Sequence, residues 1–195
     1  MIFLGEIVNL QVQEHSLKVG EGIGQRFDNA GLRRVDHLEL NDGGVRGVRD
    51  GVEIADVHHR DHPQSKLRGT LNSISFGFTS HYDLMRERFG DHLIDASAGE
   101  NILINHNGRI DLADVDKGIV IQGKSGRSLH LIEVLVAAPC APFTRWCLKY
   151  PEGQKPDRTV TQGLQFLGDG MRGYYCRFVS EPAFIEPGDA VFALA

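Results

Sequence analysis

The sequence predicts a mainly β chain, a closed or nearly closed β-barrel carrying a few short helices, on three observations. Glycine supplies 23 of the 195 residues, the apolar residues fall in brief alternating runs, and compact turn motifs separate those runs. Strands are expected at about 3–12, 35–40, 52–57, 102–105, 119–122, 129–136, 174–179 and 190–194. Between them, Asn41-Asp42-Gly43-Gly44, Gly123-Lys124-Ser125-Gly126 and Glu186-Pro187-Gly188-Asp189 supply the positive or preset φ that tight turns require. Closure into a barrel removes the exposed strand edges of an open sheet.

One helix carries a full set of signals. Ser80 is placed to cap it, Asp83 stands three residues on as in a capping box, Tyr82, Met85 and Phe89 form an apolar stripe, and Gly90 follows. Two weaker helices are expected at 144–150, stopped by Pro151, and at 159–167, stopped by Gly168, with a polar loop over 151–158. No linker, repeat or low-complexity tract divides the chain, so a single domain over residues 1–195 is expected. A split near Asp91 would leave the amino-terminal half with too few periodic apolar runs to bury a core of its own.

The net charge of −5 and the absence of a Lys/Arg-rich run argue against nucleic acid as partner. Met1-Ile2-Phe3-Leu4-Gly5-Glu6 lacks the basic region and longer apolar stretch of a signal peptide, and no apolar run approaches membrane-spanning length. No membrane association is therefore expected. Three cysteines, an odd count without paired spacing, suit a reducing compartment, so the chain reads as soluble and cytoplasmic.

Candidate chemistry centres on Cys140, held between Pro139 and Pro142 after the apolar run Leu129-His130-Leu131-Ile132-Glu133-Val134-Leu135-Val136. Prolines restrict the backbone on both sides of the thiol, which suits a nucleophile, a sulfur carrier or a soft-metal ligand, while inert packing is the competing reading. Arg145 and Lys149 lie close in sequence and, with Arg172, would favour the thiolate; a solvated face is the alternative for each. Arg172, between Gly170 and Gly173, is the candidate anion clamp, because flanking glycines allow close backbone approach. Glu100 and Asn101 together offer the donors and acceptors that read a heterocycle's edges, or else they shape a turn.

His58, His59 and His62 include an i, i+4 pair, but no second ligand pair stands at zinc-finger spacing and Pro63 favours a loop; a polar segment is expected there, with Arg60, His62 and Lys66 available to an anionic ligand. Cys176 alternates with Tyr174 and Phe178 and is expected in the core, and Cys147 reads as packing or as a resolving thiol. Gly20-Glu21-Gly22-Ile23-Gly24 lacks the Lys-Ser/Thr ending of a phosphate loop, and no Gly-x-Ser-x-Gly elbow is present.

Gly99-Glu100-Asn101-Ile102-Leu103-Ile104, Pro139-Cys140, Gly170-Met171-Arg172-Gly173-Tyr174 and Pro187-Gly188-Asp189-Ala190-Val191 occur in the order and rough spacing of the MOSC family. From about Gly5 to Phe192 the chain resembles a stand-alone MOSC domain, the module at the carboxyl end of molybdenum cofactor sulfurases. It departs from the pattern where many members carry His-Gly-Gly followed by Lys-Ala-Val, having instead His58-His59-Arg60-Asp61-His62-Pro63-Gln64-Ser65-Lys66-Leu67. The resemblance implies binding of a molybdenum–pterin cofactor, with Cys140 either a persulfide sulfur carrier or the metal's thiolate ligand, and with Glu100, Asn101, Arg145, Arg172, His62 and Lys66 as candidate cofactor-binding residues.

Members that make the sulfur use a separate amino-terminal pyridoxal-phosphate desulfurase domain, for which this chain has no room; no pyridoxal phosphate is expected, and a cysteine desulfurase is an expected partner. Other relatives reduce N-hydroxylated compounds at the bound metal, which implies a molybdenum-dependent oxidoreductase fed by an electron-donor protein, since no flavin, haem or iron–sulfur motif is visible. A catalytically silent barrel that kept the fold and lost the cofactor is the third reading, supported by the altered segment at 58–67.

Overall fold

The alternating runs form strands in the computed structural model, which describes residues 1–66, 72–124 and 126–195. In chain order the strands and α-helices are β1 (Ile2–Gln13), β2 (Lys18–Val19), β3 (Arg26–Phe27), β4 (Leu32–Arg34), β5 (His37–Asn41), β6 (Gly44–Arg49), β7 (Val52–Ala55), β8 (Ile74–Phe78), α1 (Thr79–Phe89), β9 (Ile102–Asn105), α2 (Leu112–Val115), β10 (Ile119–Gln122), β11 (Ser128–Val136), α3 (Ala141–Cys147), α4 (Arg158–Leu167), β12 (Tyr174–Arg177), β13 (Ala183–Ile185) and β14 (Ala190–Ala193).

Seven strands close a barrel: β1 pairs with β14, and the ring continues through β10, β11, β12, β8 and β9 back to β1. All these pairings are antiparallel except β8 with β9, which α1 and the loop after it connect. β1 is long because it serves three partners, β14 through Ile2–Glu6, β9 through Glu6–Leu10 and β4 through Gln11–Gln13. Its register shifts between Phe3 and Gly5, and Gly5 (φ +148°) is required there because a Cβ would overlap the Asn105 carbonyl. The antiparallel sheet β13-β5-β6-β7 adds Leu38, Leu40 and Val45 to the core that Val12 and Val35 extend from the barrel side.

Inside the barrel Phe76 stacks on Tyr174 with centroids 5.3 Å apart, and Phe78 meets Phe76 edge-on at 5.9 Å. Ile74, Ile104, Ile119, Leu131 and Val191 fill the space around them. Each such side chain contributes about 1.5–3 kcal/mol on burial. A second cluster, including Tyr82, Met85, Leu93, Phe143, Cys147, Leu167 and Met171, packs α1, α3 and α4 together. Cys140 rests against this second cluster, which makes it the floor of the candidate site.

The helices depart from expectation at their ends, for identifiable reasons. α1 starts at Thr79 with Phe78 in the cap position; Ser80 lies inside the first turn, its Oγ buried without a partner, and Asp83 pairs with Arg86 at 2.7 Å. Thr79 Oγ1 donates to the His106 carbonyl and accepts from His106 N, so the helix start is anchored to the end of β9 rather than capped by its own serine. The chain's capping box belongs instead to Asp111 and Asp114 on α2. α3 begins at Ala141 because Pro142 is tolerated in a first turn, where its missing N–H has no helical partner. α4 starts at Arg158 under the cap of Asp157, which accepts from Thr159 N at 2.8 Å.

The short strands β2, β3, β4 and β13, together with β6 and the barrel strand β8, fall outside the expected strands. In β6 the alternation is obscured by Gly44 and Gly47, and Gly47 is needed because a Cβ there would stand 2.7 Å from Val35 Cγ1. β12 ends at Arg177 instead of continuing to 179. The expected turn at 123–126 includes Ser125, and the segment at 58–67 includes Leu67; both residues lie outside those described. No described helix is long and apolar enough to cross a membrane.

Candidate functional site

β11 delivers the chain through Ala137, Ala138 and Pro139 to Cys140, which keeps extended backbone (φ −119°, ψ 151°) at the N-cap position of α3. Its carbonyl accepts from Thr144 N and Thr144 Oγ1, each at 3.0 Å, so the strand-to-helix corner is fixed on both sides of the thiol. The side chain is half-buried and lines a cleft of about 480 Å³, to which Glu100, Arg172, Lys66, Lys18 and Tyr175 also contribute. That volume lies within the usual range of small-molecule sites, about 300–1,000 Å³. Among the described residues no group of three or more His, Cys, Asp or Glu side chains is arranged to hold a metal ion by itself.

Arg172 donates from Nη1 to the Ala138 carbonyl at 3.1 Å and from Nη2 to the Ala98 carbonyl at 3.4 Å, and its guanidinium lies 5.6 Å from the centre of the Phe143 ring. Its Nε is buried without a hydrogen-bond partner, and it forms no ion pair among the described residues. Burial opposes its charge, but Tyr175, Cys140 and Glu100 outweigh that and hold its proton more firmly than usual. The flanking glycines serve packing rather than ligand approach. A Cβ on Gly173 (φ +110°) would stand 2.6 Å from the Phe76 carbonyl oxygen, and one on Gly170 (φ +84°) would overlap the Tyr174 hydroxyl.

Glu100 is buried, with Oε2 accepting from Tyr82 Oη at 2.9 Å, while Gly77 leaves room for its other oxygen. Burial pushes its carboxyl up to about 7, against the Tyr82 hydrogen bond and the Arg172 charge, both of which favour the ionised form. It therefore titrates near neutrality, unlike an ordinary surface acid.

Asn101 does not line the cleft. Its Oδ1 accepts from Ser75 N at 3.0 Å and Ser75 Oγ at 2.9 Å, and its Nδ2 donates to the Gln11 carbonyl at 3.2 Å and to Asp56 Oδ2 at 2.9 Å. Those bonds knit β8, β9 and β1, so the motif's asparagine frames the mouth while its glutamate faces it. Arg145 is also elsewhere, in a neighbouring cavity, and His62 accepts from Gln64 N at 3.1 Å away from the cleft lining. Lys66 does reach the cleft.

Of the three clustered histidines it is His58 that lines the cleft. Its Nδ1 lies 2.9 Å from Asp56 Oδ1, and the fully buried Asp56 carboxylate also accepts from His58 N and Gln13 N at 2.8 Å. With Nδ1–H donating to Asp56, Nε2 is left as the free nitrogen at the cleft side. Sequence reading missed this pair; the Asp-x-His spacing, in which an aspartate accepts from the backbone two residues on, was the available signal. Cys147 and Cys176 are buried, and burial pushes the Cys147 thiol up to about 12 and the Cys176 thiol higher still, so both stay protonated.

The cleft thus presents one half-buried thiol, a half-buried arginine with an unpartnered Nε, two lysines, an oriented imidazole and a carboxyl near its midpoint at neutral pH. Chemically it can hold an anion beside a soft sulfur and exchange a proton there. A family model for the MOSC domain matches residues 70–192. The fold is similar to that of the YuaD protein from Bacillus subtilis, at 17% identity over 95% of this chain and 93% of that one, with a TM-score of 0.57. It is likewise similar to a hypothetical protein of solved structure, at 11% identity over 98% of this chain and 68% of that one, TM-score 0.57. No curated protein matches in sequence.

Proposed function

The chain belongs to the MOSC domain family, and on that footing we propose that its Cys140 cleft binds a molybdenum–pterin cofactor, with Cys140 as the thiolate that meets the metal. The observation that carries this reading is the convergence of the half-buried Cys140 thiol and the half-buried, ion-pair-free Arg172, with its unpartnered Nε, on one cleft of about 480 Å³. The residues fit the group: a thiolate is a soft ligand for a soft metal, and a guanidinium fork with lysines around it suits a phosphate. When bound, the cofactor would supply a metal centre for sulfur- or oxygen-atom transfer.

The chain's own contributions follow from their positions. Arg172 would hold the anionic end with Lys18 and Lys66, its orientation fixed by the Ala98 and Ala138 carbonyls. Glu100, with its carboxyl raised to about 7, would hold or release a proton at the cleft wall at neutral pH. His58, oriented by Asp56, would offer Nε2 as a second proton carrier. A cysteine desulfurase or an electron-donor protein would complete the chemistry from outside the chain.

Purification from a cofactor-competent host, with molybdenum and pterin measured on the wild type and on Cys140→Ala, tests the reading. The ligand role predicts stoichiometric molybdenum in the wild type and its loss from the folded variant, because alanine at a cleft-facing position removes little packing. A second reading is favoured by the partial exposure of Cys140: that it carries sulfur as a persulfide. It predicts pterin binding that does not need the thiol and one reductant-labile sulfur added after incubation with a cysteine desulfurase. Neither molybdenum nor added sulfur under reducing, cofactor-replete conditions would leave a silent barrel.

A further inference from the structure

Beside the Cys140 cleft lies a larger cavity, about 570 Å³, that shares only Gln25 and Phe27 with it. None of the chemistry above uses it. One wall is aromatic: Phe27 and Trp146 lie 5.3 Å apart, Phe143 stacks behind Trp146 at 5.8 Å, and His92 meets Trp146 edge-on at 5.6 Å. Both ring nitrogens of His92 are buried without a hydrogen-bond partner. A buried polar atom left unpaired is destabilising by about 1–3 kcal/mol.

The lining is also cationic. Arg145 donates to the carbonyls of Ile23 at 2.9 Å and Pro151 at 3.2 Å and lies 5.6 Å from the centre of the Tyr150 ring, so it is oriented by neutral groups with no carboxylate cancelling its charge. Lys149 is exposed, has no ion pair among the described residues, and occupies the left-handed position after α3 (φ +49°) where glycine is the usual residue. A lysine there is strained by about 1 kcal/mol relative to glycine, and the fold retains it at the cavity wall. Of the two acids in the lining, Asp28 is engaged by Arg26 at 3.6 Å and by Ala30 N at 3.0 Å, and Glu152 forms no ion pair with Arg145 or Lys149.

We propose that this cavity is a second binding site, for a small flat aromatic anion: a ring bearing a phosphate or a carboxylate, the ring against Phe27 and Trp146 and the anionic group on Arg145 and Lys149. It stands independently of what the Cys140 cleft binds, and the shared Phe27 places its ligand next to that cleft.

Trp146 is the chain's one tryptophan, so intrinsic fluorescence reads this cavity directly. The full chain is titrated with adenosine 5′-monophosphate and with benzoate, and with adenosine and inorganic phosphate as controls. The expected result is saturable quenching by at least one aromatic anion, which identifies the anionic group, and weaker or no saturation by either control. Lys149→Gly should raise the dissociation constant about tenfold, the loss of one charge-assisted contact, while leaving the melting temperature unchanged or higher. Cys140→Ala should leave the titration unchanged. Linear, non-saturating quenching by both aromatic anions, or saturable quenching that Lys149→Gly and Arg145→Gln both leave unaltered, would overturn the proposal.

Discussion

Glu100→Gln should stabilise the protein above neutral pH and lose that advantage on the acid side. In the fold the Glu100 carboxyl is raised from 4.5 to about 7 by burial, so between those values the native state keeps a proton that the unfolded chain has released. Native stability therefore falls as pH rises through that window, and above it a buried carboxylate carries the full cost. A difference of about 2.5 pH units at about 1.36 kcal/mol each gives roughly 3 kcal/mol. Glutamine keeps the volume and an oxygen to accept from Tyr82 but does not titrate.

His81 supplies the opposite slope. Burial and the Arg109 charge lower its imidazole from 6.5 to about 4, and its Nε2 accepts from Ile110 N at 3.1 Å, which requires the neutral ring. As pH falls from 6.5 toward 4 the unfolded state takes a proton the native state refuses, so stability falls with falling pH. The two slopes oppose each other over their shared window, and the wild type should be nearly flat from pH 4.5 to 6.5. Urea and thermal melts from pH 4.5 to 8.5 should show Glu100→Gln rising with pH and, at pH 8, melting roughly 6–12 °C above the wild type, at about 2–4 °C per kcal/mol for a chain of this size. Parallel curves for the two proteins across the whole range would refute a buried, near-neutral Glu100.

Asn101→Ala should destabilise by about 3–5 kcal/mol, because it strips partners from Ser75, the Gln11 carbonyl and the buried Asp56 at once; chemical denaturation checks it, and a loss under 1 kcal/mol would mean the network does not hold the strands. Arg172→Lys keeps the charge but not the fork that ties Ala98 to Ala138, so both cofactor retention and stability should fall, the latter by about 1–2 kcal/mol. Retention measured as bound pterin at a temperature well below both melting points separates the two effects; full retention would remove Arg172 from the anion's binding site.

Six of the seven barrel strands were legible because they alternate over the pleat and their turns carry glycine and proline at positions that demand special φ; β8 was not, since it runs straight into α1 at Thr79 with no turn residue to mark its end. Where those signals conflict the reading failed. Ser80 has the residue type of a cap, but Thr79 binds the end of β9 first and the cap falls two residues earlier, on Phe78. Gly44 and Gly47 hide β6 because their role is to let neighbouring chain approach closely. At the site, the nearness of Cys140 and Arg145 in sequence was misleading: a helical offset of five residues turns Arg145 around α3 into the next cavity, whereas Arg172, thirty-two residues from Cys140, folds back beside it. The sequence favours His62 over His58 because only the folded chain reveals that Asp56 is buried and grips the nearer ring.

Timed alkylation of the three cysteines, with mass mapping, on the native full chain purified from hosts with and without cofactor biosynthesis tests the central claim most directly. Cys140 should label promptly in the cofactor-free protein, since it is the half-buried thiol at the cleft, and be protected in the cofactor-replete protein, while Cys147 and Cys176, buried with raised thiols, stay unlabelled in both. Equal labelling of Cys140 from the two hosts, or modification of Cys176 before Cys140, would contradict the assignment of the cleft as a cofactor site built around that thiol.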